Sequence, residues 1–410
     1  MRLYLEAILN IWRFELKGYF LLLDLAMNQG KYIFAQLFET VYWYDFDLCV
    51  KPYRGNLGVK TFTCWEQFLV MCFAQFCYRE SLRDIEYCLE SVGSKLYHCG
   101  IKSRITKSTL ADANRDRDWR IYADYAQILI KKALPLYKDD NKLCEELETI
   151  IYAFDSTTID LCLQLFQWAK FRTTKSAVKM HVLLNIDGSI PEFISITDGS
   201  VHDVKILDQL NYKPGAYYLL DKGYVSYKRL YRIEMEKAFF VTRAKVNMAY
   251  VVIKIKKGAI KSGIIKDELV ELTGYYTAKG YPKIIRRVEY VDKETGKKLI
   301  FLTNNLVVKS LTIARLYKER WNVELFFKWI KQNLRIKKFY GNNENTVKVQ
   351  IWIAVCDYLI IAILKKELNL KPSMNQILQI LSISLFEKTA IKKLFEKDDT
   401  IIISNQQSLF

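Results

Sequence analysis

Three acidic residues in this sequence have the types and positions needed for metal-dependent chemistry. Asp155 and Asp221 each follow an apolar segment with the pattern of a β-strand, IIYAFD and AYYLLD. In open α/β sheets, ligands bind at the carboxyl ends of the strands, so two carboxylates there would suit a divalent cation. For either residue alone there is a simpler explanation, because Asp often follows a strand where it suits a turn. A third acid would favour the metal site.

Glu324 is the candidate for that third acid, because it shares one face of a predicted helix with three other functional side chains. Tyr317, Arg320, Glu324 and Lys331 are separated by three, four and seven residues, which places them on a stripe about 60° wide. The stripe borders an apolar face and is placed to line a cleft. That apolar face consists of Leu316, Val323, Phe326, Phe327, Ile330 and Leu334. The alternative is a solvated charged edge with an i, i+4 Arg–Glu pair.

The chemistry of three clustered carboxylates favours the cleft. Asp155, Asp221 and Glu324 together could hold two Mg²⁺ ions about 4 Å apart, one activating the attacking oxygen and the other stabilising the leaving oxygen of a phosphodiester. Carboxylates alone would repel a phosphate, so the cations of the stripe supply the attraction. The tyrosine of the stripe adds a ring on which a displaced base can stack.

The composition agrees with a polyanionic partner. The 410 residues are 51% hydrophobic and 14% aromatic, which excludes a disordered polymer. Lys and Arg number 62 against 45 acids, a net charge of +17, which points to nucleic acid or an anionic membrane. The longest nearly apolar run, residues 351–364, contains Asp357 and is shorter than the roughly 20 residues of a membrane span. The nine cysteines form no CxxC pair, which favours reduced thiols in a cytoplasm over zinc binding.

The amino-terminal part, residues 27–145, has mostly helical periodicity. Short helices joined by tight turns recur there, as they do in helix-turn-helix DNA-binding units. In that interpretation Thr109, Asn114 and Arg115 face a groove of DNA. The alternative is an ordinary helical packing domain.

The periodicity changes to that of strands after residue 145. Residues 146–238 have the pattern of three antiparallel strands, at 150–155, 179–187 and 190–198, followed by alternating strands and helices. A hairpin turn at Asp187-Gly188 joins the second strand to the third. Residues 239–303 are strand-like and basic, with 14 Lys and Arg against 6 acids. Helical patterns resume in residues 304–370, which contain the Glu324 helix, and continue into a carboxy-terminal segment, 371–410.

The segment YKERWNVELFFKWIK, residues 317–331, contains a complete Tyr-x2-Arg-x3-Glu-x6-Lys pattern. With this pattern the chain resembles the DDE transposases of insertion-sequence family four. IYAFDSTTIDL and LLDKGYVS resemble the segments that carry the first and second Asp of that family, and KFRTTKSAVKMHVLLNIDGSIP and TDGSVHD resemble the stretch between them. The likeness extends over residues 27–365.

The resemblance implies an α/β protein with an RNase H-like catalytic core. A β-rich insertion would interrupt this core, a mostly helical DNA-binding domain would precede it, and C-terminal helices would follow it. It also implies cut-and-paste movement of an insertion sequence through strand cleavage, hairpin formation and strand transfer. The implied partners are double-stranded DNA, as terminal inverted repeats and target, and a second copy in a homodimer. The expected location is the bacterial cytoplasm, at the nucleoid.

Carried over residue by residue, the resemblance makes Asp155, Asp221 and Glu324 the ligands of two Mg²⁺ ions, with Mn²⁺ as an alternative. The residues implied to grip transposon-end phosphates beside a flipped base are Tyr317, Arg320 and Lys331. Two further groups have two interpretations each. The basic side chains that follow the first acid are either phosphate contacts or merely exposed, and they are Arg172, Lys175 and Lys179. His202-Asp203 is either a pair adjacent to the site or a helix cap at Asp203.

Three rival functions are weighed against a transposase. The first is a non-mobile nuclease with the same core, and the second is an inactive or domesticated DNA-binding relative. The third, a basic structural protein, is disfavoured by the clustered acids. Residues 1–26 match nothing in the family, and we expect Met27 to be the initiator.

Overall fold

The computed structural model describes residues 30–172, 175–256, 263–334 and 338–396. These residues form two compact units. One is a helical unit that contains the described residues up to Leu129 and most of those after Gln332. The other is an α/β unit formed by residues 130–332 and 342–344. Met27, the expected initiator, lies outside the described residues.

The helices are distributed over both units, and α7 belongs to both. In chain order they are α1 (Ile33–Leu37), α2 (Trp43–Val50), α3 (Cys64–Phe76), α4 (Leu82–Val92), α5 (Lys95–His98), α6 (Lys107–Asp116), α7 (Arg120–Leu136), α8 (Lys142–Leu147), α9 (Tyr227–Met235), α10 (Tyr275–Gly280), α11 (Ser310–Glu319), α12 (Trp321–Asn333), α13 (Glu344–Glu367) and α14 (Met374–Ser384). The helical unit contains α1–α6, α13 and α14.

Asn114 on α6 does not face a groove, and this part of the helix-turn-helix interpretation is wrong. Its side chain is buried, and its amide oxygen accepts a hydrogen bond of 2.7 Å from the Gln67 side chain on α3. A buried amide needs such a partner, which the neighbouring helix supplies. Arg115 is exposed and forms ion pairs with Asp112 and Asp116 on its own helix.

Helix α13 is the core helix of the helical unit. Among the described residues it alone has the length and apolar composition to span a membrane, but 94% of its most apolar window is buried inside the protein. Asp357 in the middle of α13 is fully buried, and burial raises its pKa well above the usual range. A carboxyl group in that state is neutral, which is compatible with a packed protein interior.

The α/β unit is built on one mixed sheet of ten strands among the described residues. They are β1 (Ile151–Leu161), β2 (Lys170–Arg172), β3 (Lys175–Asn185), β4 (Ile190–Asp198), β5 (Tyr217–Leu220), β6 (Phe239–Arg243), β7 (Tyr250–Ile255), β8 (Ile264–Leu272), β9 (Ile285–Val291) and β10 (Lys298–Thr303). Their order is β2-β3-β1-β5-β6-β10-β9-β8-β7, with β4 also paired to β3.

The first half of the sheet agrees with the sequence pattern. Strands β1, β3 and β4 are antiparallel, and β4 has the predicted bounds. The predicted turn is present, since Gly188 and Ser189 both have positive φ values, 77° and 57°. Strands β1, β5 and β6 are parallel to one another.

The basic segment 239–303 does not form a separate sheet. Strand β6 pairs with β5 of the core, and β10, β9, β8 and β7 extend the same sheet beyond β6. The buried centre of this region includes large side chains from both parts, among them Tyr152, Phe154, Tyr218, Phe240 and Tyr281. The insertion is therefore bonded and packed to the core strand by strand.

Candidate active site

Asp155 and Asp221 lie beside each other because the parallel pairing of β1 with β5 stops immediately before them. The last paired residues are Phe154 and Leu220, and both are fully buried. The two strands run in the same direction, so the next residue of each emerges at the same edge of the ladder. The structure therefore brings the first two predicted acids together.

Asp155 does not end its strand, in contrast to the sequence-based expectation. Strand β1 continues to Leu161 because its other edge stays paired with β3, where Asp155 lies opposite Val182. The pattern of apolar residues shows where a strand begins. It cannot show that one of the two neighbouring strands stops pairing before the other.

The half-buried Asp155 carboxylate accepts hydrogen bonds from three donors. Its Oδ1 accepts from the Ser156 N–H at 2.8 Å and from the Tyr224 hydroxyl at 3.3 Å, and its Oδ2 accepts from Arg320 Nη1 at 3.2 Å. Burial raises the pKa of Asp155 to about 6, although the Ser156 N–H and Arg320 act in the opposite direction. The carboxylates of Asp221 and Glu324 add to the rise, which indicates that the three acids interact electrostatically.

The Asp221 carboxylate has a different set of donors. Its Oδ1 accepts from Arg243 Nη2 at 3.1 Å and from the Tyr317 hydroxyl at 3.3 Å, and its Oδ2 accepts from the Gly223 N–H at 3.3 Å. Burial alone would raise the pKa of Asp221. The backbone N–H groups of the following turn and the guanidinium groups of Arg320 and Arg243 outweigh burial, and the pKa lies below its usual range.

Glu324 is joined to Asp155 by a shared cation. Its Oε1 accepts from Arg320 Nη2 at 2.6 Å, while Nη1 of the same guanidinium donates to Asp155. The single helix predicted from the sequence is divided at Arg320 into α11 and α12. Arg320 itself keeps right-handed helical backbone angles.

Three residues of the predicted stripe contact β1 or the residue that follows β5, and the fourth, Glu324, is bonded to one of them. Tyr317 contacts Asp221, Arg320 contacts Asp155 and Glu324, and Lys331 Nζ donates to the Thr158 carbonyl on β1 at 2.6 Å. The apolar face beside the stripe is buried, as predicted. The buried residues are Leu316, Val323, Phe326, Phe327, Ile330 and Leu334.

Arg320 bridges two of the three acids, and the acids do not form a compact cluster of metal ligands. Within the part of the chain that the structure describes, no three His, Cys, Asp or Glu side chains are close enough to hold a metal ion. The guanidinium of Arg320 donates a hydrogen bond to each of Asp155 and Glu324 instead. The donors themselves are carboxylate oxygens, the type that Mg²⁺ and Mn²⁺ prefer.

The basic residues that follow the first acid are spread along β2 and β3. The side chain of Arg172 lies outside the described residues. Lys175 is exposed at the start of β3, seven residues before the partner of Asp155, a separation of roughly 23 Å along a strand. Lys179 is directed to the Asp203 carboxylate at 3.1 Å and to the Val201 carbonyl at 2.9 Å. The structure does not bring Lys175 to the acids.

The interpretation of Asp203 as a helix cap is wrong. Asp203 is the first residue of a 3₁₀ segment, Asp203–Gln209, and the cap position belongs to His202, whose side chain makes no capping bond. His202 is exposed, whereas the Asp203 carboxylate lies 3.8 Å from His181 Nδ1.

Two residues at the site were not identified from the sequence. Tyr224 lies three positions after Asp221 and reaches back to Asp155. Arg243 ends β6, the parallel neighbour of β5, and bonds Asp221. The rule that identified the two aspartates, namely that side chains gather at the carboxyl ends of parallel strands, would also have identified Arg243.

Comparison with known proteins gives two family matches. Residues 146–360 match the family described as transposase DDE domain, and residues 29–102 match a domain of unknown function, DUF4372. The first match covers both Asp residues, Glu324 and the whole insertion.

Individual relatives agree with the first match. The chain is 34% identical over 298 residues to the transposase y4zB of Sinorhizobium fredii, which covers 72% of this chain and 79% of that protein. It is 28% identical over 226 residues to a transposase for insertion sequence element IS5377 of Geobacillus stearothermophilus, covering 53% of this chain and 59% of the relative. The cryo-EM structure of the piggyBac transposase synaptic complex with hairpin DNA aligns with 92% of this chain and 80% of its own at 12% identity. Its TM-score of 0.43 is too low to support an inference.

Proposed function

The chain belongs to the transposase DDE domain family and is a DNA transposase, and from this premise we propose that Asp155, Asp221 and Glu324 form its catalytic centre. The observation that carries the proposal is the guanidinium of Arg320, which bonds Asp155 on β1 and Glu324 on α12 at once. Holding a largely buried cation between two acids that are distant in the sequence costs desolvation free energy, and such arrangements concentrate at functional sites.

We propose that these three carboxylates hold divalent ions, two Mg²⁺ or in their place Mn²⁺. Bound metal would activate the attacking oxygen and stabilise the leaving oxygen of a phosphodiester. The chain itself prepares the site: Tyr224 and the Ser156 N–H hold Asp155, while Arg243 and the Gly223 N–H hold Asp221.

We propose that Tyr317, Arg320 and Lys331 bind phosphates of the transposon end. Each already presents a hydroxyl, guanidinium or ammonium group to an oxygen acceptor of the site, and a phosphate oxygen is an acceptor of the same kind. The planar guanidinium of Arg320 can donate two parallel bonds to a phosphate, which a lysine cannot do.

The reaction that we propose is cut-and-paste movement of an insertion sequence. It would proceed by cleavage at each end of the element, formation and reopening of a hairpin, and joining of the free 3′ end to target DNA. The partners would be both terminal inverted repeats and the target duplex, with two copies of the chain holding the ends. An RNase H-like core for this chemistry is consistent with the antiparallel β1–β3–β4 strands beside the parallel pair.

The test is cleavage of a plasmid that carries the coding sequence with its native flanking DNA. Asp155→Asn, Asp221→Asn and Glu324→Gln should each reduce Mg²⁺-dependent cleavage by roughly 10³-fold or more, because several kcal/mol of transition-state stabilisation is lost. DNA binding should be retained. Asp160→Asn, at an exposed position of the same strand β1, is the matched control and should keep full cleavage.

The alternatives give different results in the same experiment. Undiminished cleavage by any of the three variants would contradict the role of that residue as a ligand. Binding without Mg²⁺-dependent cleavage by the unaltered protein would identify an inactive DNA-binding relative. Cleavage without joining of a precut end to a second plasmid would identify a non-mobile nuclease.

A further inference from the structure

A cavity of about 350 Å³ opens on the insertion side of Asp221. The cavity is lined by the end of β6 and the strand β10 beside it. Arg243 of β6 lies opposite Phe301 of β10, and the Ala244 N–H donates to the Ile300 carbonyl at 2.8 Å. The described residues that line it include no acid and five cations. The cations are Lys222, Arg243, Lys245, Arg287 and Lys298.

Two of the five cavity cations, Arg287 and Lys298, are paired with acids. Arg287 donates to the Glu268 carboxylate at 2.8 Å and to the Glu289 carboxylate at 3.3 Å, and Lys298 forms an ion pair with Glu289. Lys266 also lies 3.9 Å from Glu268, so three cations share these two acids. The acids therefore offset most of the positive charge on this side of the cavity.

The side of the cavity next to Asp221 carries uncompensated positive charge. Lys222 is half-buried beside Asp221, and Lys245 is exposed and donates to the Val225 carbonyl, a neutral acceptor, at 2.9 Å. Among the described residues, neither ammonium group has an ion-pair partner. Two positive charges at the mouth of one cavity attract a monoanionic group such as a phosphodiester.

Arg243 connects this charged part of the cavity to the catalytic centre. It lines the cavity and donates to Asp221 Oδ1 at 3.1 Å, and its guanidinium lies 5.9 Å from the centre of the Tyr317 ring. Its Nε is buried and makes no hydrogen bond to any described residue. A buried donor without a partner costs free energy unless a ligand or water supplies an acceptor.

We propose that the cavity is a second phosphodiester-binding site, separate from the phosphate contacts of Tyr317, Arg320 and Lys331. Lys222 and Lys245 bind a phosphate of the strand that continues past the cleaved bond. Arg243 then positions Asp221 relative to that phosphate. The proposal rests on the proposed function, because it requires DNA to be the substrate held at Asp221.

The salt dependence of DNA binding tests the proposal independently of catalysis. The probe is a linear duplex cut from the DNA that flanks the coding sequence, titrated with protein in EDTA over a series of salt concentrations. Each protein–phosphate contact contributes about 0.9 to the slope of log K against log salt concentration. Lys222→Ala and Lys245→Ala should each reduce the slope by part of that amount, and the double variant, which loses the whole phosphate contact, should reduce it by about 0.9. Lys222→Arg and Lys245→Arg should restore it.

Lys279→Ala is the matched control, because Lys279 is an exposed lysine of α10 in the same insertion that does not line the cavity. For Lys279→Ala, the slope of log K against log salt concentration should equal that of the unaltered protein. An unchanged slope in the double variant, with normal binding by the unaltered protein, would overturn the second site and leave the proposed function standing. Failure of the unaltered protein to bind the duplex at all would overturn both.

Discussion

A buried ion pair at the root of the insertion should be essential for stability. Arg286 on β9 is 1% exposed and donates two hydrogen bonds to Asp267 on β8, of 2.9 and 2.7 Å. Arg286 also donates to the Val308 carbonyl, and the Ser310 hydroxyl at the start of α11 donates to Asp267. The pair therefore ties the insertion to the helix that carries Tyr317.

Asp267→Asn should lower the free energy of unfolding by about 3–5 kcal/mol, because it leaves the Arg286 guanidinium buried without its counter-charge. The assay is urea unfolding followed by circular dichroism. Glu146→Gln is the control: it breaks the exposed Glu146–Arg315 pair, whose bonds of 2.7 and 3.0 Å are just as short. Exposed pairs contribute about 0–1 kcal/mol.

The comparison separates burial from bond geometry as the source of stability. If Asp267→Asn and Glu146→Gln changed the free energy of unfolding equally, the explanation from the buried charge would be refuted. The pH dependence offers a second check. Burial opposes ionisation of Asp267, but its bonds to Arg286 and Ser310 hold its pKa below the usual value. Its contribution should therefore be present above the ordinary pKa of Asp and be lost as the pH falls through the lower, folded-state pKa.

Two further predictions concern single side chains beside the acids. Tyr224→Phe removes one hydrogen bond to Asp155 and should reduce cleavage about tenfold, the equivalent of roughly 1.4 kcal/mol, while melting temperature and DNA affinity stay unchanged. An unchanged cleavage rate would exclude a positioning role. His181 is fully buried, and burial with the nearby Lys179 lowers its pKa from 6.5 to about 4 against the opposing charge of Asp203. The fold holds it neutral while the unfolded chain takes up a proton, so stability should fall as the pH drops from about 6.5 to 4, and His181→Gln should flatten that part of the curve.

The sequence predicted those features that depend on local pattern. The bounds of β4, the turn at Asp187-Gly188 and the burial of the α12 apolar face all follow from periods and turn residues that a reader can count. The common face of Tyr317, Arg320, Glu324 and Lys331 follows from helical spacing alone.

Features that depend on pairing between distant segments could not be predicted from the sequence. The continuation of β1 past Asp155 depends on β3, and the burial of Asn114 depends on Gln67. The position of Arg320 between two carboxylates likewise requires β1 and α12 to be docked. A helical wheel shows that Arg320 faces the same way as Glu324, but it cannot show that Asp155 completes the bridge.

The continuity of the sheet has a consequence for how the insertion acts on DNA. A domain attached by flexible linkers would present its cations at variable distances from the acids. Here β6 is bonded in parallel to β5, which ends at Asp221, and β10 is bonded to β6, so backbone hydrogen bonds fix the cavity cations relative to that acid. The Arg286–Asp267 pair fixes the start of α11 to the same strands. A phosphate bound at Lys222 and Lys245, as we propose, would lie against residues that follow β5 and β6 directly and so would be held near Asp221. Binding energy can then be used to orient the reacting bond.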